Sequence, residues 1–124
     1  MNLVFVFLWM IFFHIIDDFV LQPTCLSFLK QKSYWEANAP EELYKNDYVC
    51  ALIMHSISWS FMIMIPIAYY LGFTIGQGFI VMFLINVVFH VLIDNMKANW
   101  KLINLWHDQL LHMIQIVLTF VVFA

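Results

Sequence analysis

Leu3 to Phe13 is an unbroken run of eleven apolar residues, and three more long apolar stretches follow it. A helix needs about twenty such residues to cross a bilayer. By that measure the chain predicts four spans, at about 2–22, 48–71, 74–96 and 102–123. Pro23 suits the end of the first, because the residue before a proline avoids the helical region. Pro66 is expected to kink the second. Gly72, Gly76 and Gly78 mark the turn into the third. The polar stretch 23–47 carries Leu26, Phe28, Leu29, Tyr34 and Trp35, which suggests partly interfacial structure. A soluble bundle would need polar helix faces that these segments lack. The expected fold is therefore all-α, an integral membrane four-helix bundle forming one domain over residues 1–124. The first span lacks a basic leader and a small-residue cleavage site, so it is expected to be retained.

Composition agrees with this reading. Of 124 residues, 65% are hydrophobic and only 10% charged, with no arginine, whereas soluble domains run near a quarter charged. The net charge of −3 argues against a nucleic-acid partner. Cys25 and Cys50 lie in or beside the first polar loop, and two thiols are weak evidence for a disulfide. Charge also sets orientation. Lys30, Lys32 and Lys45 fall in the first loop, and Lys97 and Lys101 in the third. With four spans these loops share one side, so the positive-inside rule places them in the cytoplasm and both termini outside, in the inner cell membrane.

The polar residues inside the spans carry the chemistry. All five histidines fall there, at His14, His55, His90, His107 and His112, together with Asp17, Asp18, Asp94 and Asp108. An ionisable group at the middle of a span costs roughly 2.5–3.5 kcal/mol on insertion scales. Three pairs repeat one spacing: His14 with Asp18, His90 with Asp94, and Asp108 with His112. Residues four apart share a helix face. The order inverts with helix direction: the two spans running toward the cytoplasm read H-x-x-x-D, and the returning span reads D-x-x-x-H. Every aspartate then lies nearer the cytoplasmic surface, with its histidine about 6 Å deeper. His55 lies near the depth of His112.

Imidazoles beneath carboxylates suit a divalent metal, with zinc expected first and manganese or iron as alternatives. The candidate ligands are His14, Asp18, His55, His90, Asp94, Asp108 and His112, enough for one metal with supporting residues or for two. The di-iron bundle pattern uses inward glutamates, and the spans have none. Duller explanations exist for individual residues. A lone histidine in a span is commonly an interhelical hydrogen bond. Asp17 and Asp18 near a helix end can reach the headgroups, and Asp108 near a helix start can answer the dipole. His107 sits about 100° round its helix from Asp108, which fits a supporting or interfacial place. Asp17, three residues from His14, also fits a supporting place.

The strings HIIDDFVLQ with Lys30, HVLIDNMK and HDQLLH resemble the H-x-x-x-D-F-x-L-Q…K, H-x-x-x-D-x-x-K and D-Q-x-x-H elements of a family of small bacterial and phage membrane proteins of unknown function. His55 matches a histidine near the start of that family's second span, while 31–47 is longer than the family pattern leads one to expect. The resemblance implies distant likeness to membrane-bound metal-dependent hydrolases and adds Gln22, Lys30, Lys97 and Gln109 to the site. Gln22 and Gln109 are expected to orient ligands or substrate. Lys97 is expected to pair with Asp94 or meet an anionic headgroup, and Lys30 is at least an orienting charge. The leading expectation is a metal-dependent hydrolase acting on a lipid-like ester or phosphoester at the cytoplasmic face, with Asp17 or Asp108 as general base and Lys97 and Lys30 receiving a phosphate. The alternatives are a metal-ion or proton transporter, and a phage-type lysis or host-modulating protein with a structural metal. The expected partners are the membrane and a lipid-like substrate, with a homo-oligomer left open.

Overall fold

A computed structural model describes residues 2–22 and 24–124, apart from the side chains of residues 24 and 25. Pro23 and any pairing of Cys25 with Cys50 therefore lie outside the described residues. Among the described residues there are six α-helices: α1 (Leu3–Ile15), α2 (Thr24–Leu29), α3 (Lys32–Asn38), α4 (Asp47–Tyr70), α5 (Gln77–Ala98) and α6 (Leu105–Phe123). α1 continues as a wider π-helical segment, Ile16–Leu21. Four of the helical segments are long and apolar enough to cross a membrane. The chain is an all-α helical bundle of the multi-pass membrane type, as expected. The helix limits differ from the predicted ones by up to three residues. α6 starts at Leu105, where the Asn104 side chain accepts from the His107 backbone N–H.

α4 is the central helix, packed on α1 and α5, and α6 closes the bundle against α5 and α1. α4 runs unbroken through Pro66 to Tyr70 and is capped just beyond Leu71 by Gly72, whose φ of 65° allows a paired cap. There the Gly72 N–H bonds to Tyr69 O and the Phe73 N–H to Ala68 O. The polar stretch folds as α2, α3 and a single turn at Glu42–Tyr44. Asn99 pins it across the end of α5, donating to Lys30 O and accepting from the Lys32 N–H.

The distribution of polarity suits lipid on the outside. Phe5, Leu8, Phe12, Val81, Leu84, Val88, Val121 and Val122 are all exposed. The end of the bundle away from the lysine loops is filled by Val6, Met10, Ile63, Met64, Ile67 and Ile116, all buried. The loop end instead buries His14, Asp17, Lys30, His55, His90, Asp94, Asp108 and His112.

Candidate metal centre

Four histidines, one from each predicted span, meet around one tryptophan. His90 stacks on Trp59 and on His112, each at 4.2 Å between ring centres. His55 lies 5.0 Å from His90, and His14 lies 5.8 Å from His112. The carboxylates ring these imidazoles. His55 Nε2 is 3.3 Å from Asp18 Oδ1 and 3.4 Å from Asp94 Oδ2. His90 Nε2 is 3.5 Å from Asp94 Oδ2. His112 Nε2 is 3.2 Å from both Asp94 Oδ1 and Asp108 Oδ1.

These separations fit a cation. Nitrogen and oxygen ligands about 2.0–2.1 Å from a tetrahedral metal lie about 3.3 Å from one another. A direct charge-assisted hydrogen bond would be shorter, near 2.7–2.9 Å. Moreover, Asp18 Oδ1, Asp108 Oδ1 and both His90 nitrogens are buried without a hydrogen-bond partner among the described residues. Leaving such atoms unpaired is costly. Three groups can each hold an ion: Asp18–His55–His90, His90–Asp94–His112 and Asp18–Asp108–His112. The buried His/Asp set can therefore bind a metal ion.

Hydrogen bonds around the set settle which ring nitrogens are available. Trp59 Nε1 can only donate, and it lies 2.8 Å from His14 Nδ1. His14 therefore carries its proton on Nε2, which donates to Gln109 Oε1 at 2.8 Å. The Gln109 amide then donates to Asp18 Oδ2 and to Asp108 Oδ2, at 3.2 and 3.1 Å. His112 has the opposite tautomer. Gln115 donates its amide to Asn86, which turns its carbonyl toward His112 Nδ1. That carbonyl must accept a proton, so Nε2 is the ring nitrogen of His112 that faces the acids. Asn86 is fixed in turn by donating to Thr119.

Several expectations change. His14 belongs to none of the three ligand groups, because both its nitrogens are committed; it holds Gln109 rather than offering a ligand atom. His107 is exposed and contributes only its backbone cap, so it stands outside the site. The partner of Asp94 is Lys30, not Lys97: Lys30 is buried and donates to Asp94 Oδ2 at 3.0 Å and to Gln22 Oε1 at 2.9 Å. Asp17 lies behind His55, with Oδ2 3.7 Å from Nδ1, and accepts from Ser58 at 2.6 Å. That is the place of a group orienting an imidazole, not of a base facing the cavity. Sequence reasoning missed Ser58, Trp59, Asn86, Gln115 and Thr119 as supports. Their only signal was being polar or indole-bearing within a span.

A cavity of about 50 Å³ opens above the set, lined among others by Asp18, Gln22, Lys30, Asp94, Lys97 and Asp108. It adjoins a wider vestibule of about 430 Å³, with which it shares Gln22, Lys30, Asp94 and Lys97 and to which Lys101 contributes. No family model, curated protein or solved structure matches the chain.

Proposed function

We propose that the chain is a metal-dependent hydrolase of the cytoplasmic face of the inner membrane, acting on a lipid-like ester or phosphoester and using zinc. The observation that carries this reading is the stack of two chambers. Buried, uncommitted Asp and His donors form the floor of a small cavity, and a lysine-bearing vestibule leads into it. The vestibule lies at the loop end of the bundle, where the positive-inside rule puts cytoplasm and headgroups. The motif resemblance points the same way.

In this reading Lys97, exposed and shared by both chambers, receives an anionic headgroup oxygen. Lys30 is already matched with Asp94 and holds that carboxylate in place. A divalent cation supplies Lewis acidity and lowers the pKa of water to about 7. Asp108, fixed through Oδ2 by Gln109, presents Oδ1 at the cavity floor, where it would help hold that cation rather than serve as the general base. A transporter reading would need a polar path to the far side, and the buried Val6, Met10, Ile63, Ile67 and Ile116 occupy that half.

The test is elemental analysis of the detergent-purified protein, with hydrolysis of phosphodiester and ester substrates in mixed micelles. Bound metal is expected, with turnover falling at least about 100-fold in His90→Ala. A preparation that contains no metal and takes up none on addition would sink the proposal. Stoichiometric metal with no hydrolysis, but ion flux in liposomes, would favour transport.

A further inference from the structure

We infer that this centre holds two divalent cations bridged by Asp94, which fits it for an anionic phosphodiester; the inference rests on the metal-dependent reading above. One cation cannot use the donors present. Six residues offer ligand atoms, whereas a tetrahedral catalytic zinc takes three protein ligands and keeps one place open. The donors divide naturally. Asp18, His55 and His90 form one outer group, and Asp18, Asp108 and His112 form another. Asp94 faces both. Its Oδ2 points at His55 and His90, at 3.4 and 3.5 Å, while its Oδ1 points at His112, at 3.2 Å. A carboxylate with one oxygen toward each group bridges two ions, and two-metal sites hold their ions about 3.5–4 Å apart.

Charge supports the same count. Asp17, Asp18, Asp94 and Asp108 are buried or nearly so, and among the described residues Lys30 is the one ammonium bonded to them. With the acids ionised, that leaves three negative charges in a poorly solvated site. One divalent cation would leave a net negative charge that repels an anionic substrate. Two would leave one positive charge, which a phosphodiester neutralises. Lys97 and Lys101 at the vestibule add attraction for the same kind of ligand.

The full-length protein in detergent would be stripped with chelator, loaded with Mn²⁺, counted by elemental analysis and examined by electron paramagnetic resonance. The wild type is expected to hold two Mn²⁺ per chain with the spectrum of a coupled pair. His55→Ala and Asp108→Asn are each expected to hold about one, uncoupled, with helicity by circular dichroism unchanged. Asp94→Asn is expected to lose the coupling, and Asp94→Glu to restore it. Wild-type protein saturating at one magnetically isolated Mn²⁺ would overturn the bridged pair while leaving a metal-dependent enzyme standing. Wild-type protein that takes up neither Mn²⁺ nor zinc would overturn both. Because the wild-type count decides, a misfolded variant does not shield the inference.

Discussion

Gln109 shows how a residue that ligates nothing can set a metal site. Its carbonyl takes the His14 Nε2–H, and its amide spans the Oδ2 atoms of Asp18 and Asp108. Each acid is thereby turned so that Oδ1 faces inward, and those two atoms lack hydrogen-bond partners among the described residues. Trp59 fixes the far end of this chain by donating to His14. Loss of such supports typically weakens metal binding by 10–100-fold. Gln109→Leu is therefore expected to raise the zinc dissociation constant by about that factor, measured by competition with a chromogenic chelator. His14→Ala should do the same, and the double variant should be little worse than either, because both break one chain. If His14 were a ligand, its loss would instead add to that of Gln109.

At the scale of elements, the π-helical end of α1 makes two adjacent acids face the interior. In an α-helix, neighbours point about 100° apart, which is why the four-residue spacing favours Asp18 over Asp17. The wider turn, closed by the Gln22 N–H on Asp17 O, brings both under cover. They then take different tasks: Asp17 faces Ser58 and the back of His55, and Asp18 faces the cation groups. Asp17→Asn should keep its metal but bind it about tenfold more weakly, whereas Asp18→Asn should fall in metal content. The reverse result by elemental analysis would show that the face assignment is wrong. Much of this end was legible in the sequence, because apolar length marks spans and the H-x-x-x-D spacing marks a shared face. The π turn was not legible, since it changes the register without changing the residue pattern. The tautomers of His14 and His112 were hidden too. They depend on partners 45 and three residues away in the chain, and spacing reports only which side chains can meet.

For the whole molecule, the polarity of the two ends predicts that stability depends on a cation held by the His/Asp set. The far end is held by close apolar packing of α1, α4 and α6 around Ile63, Met10 and Ile116. The loop end buries fewer apolar side chains, among them Ala51, Leu52 and Ile93. It concentrates Asp17, Asp18, Asp94 and Asp108 on converging helices, with Lys30 bonded only to Asp94 among them. Without cations those carboxylates repel one another in a medium that screens poorly. A ligand bound only by the folded state stabilises it by about 4 kcal/mol at a thousand times its dissociation constant. Chelation should therefore lower the thermal midpoint in detergent by several degrees or more, and zinc should restore it. The loss should start locally. Hydrogen exchange in the chelated protein should rise first at the C-terminal end of α5 and the N-terminal ends of α4 and α6, while the segment around Ile63 and Ile67 stays protected. Equal loosening of both ends would mean that the acids are not held together by bound cations, and uniform protection with and without chelator would mean that no cation supports the bundle.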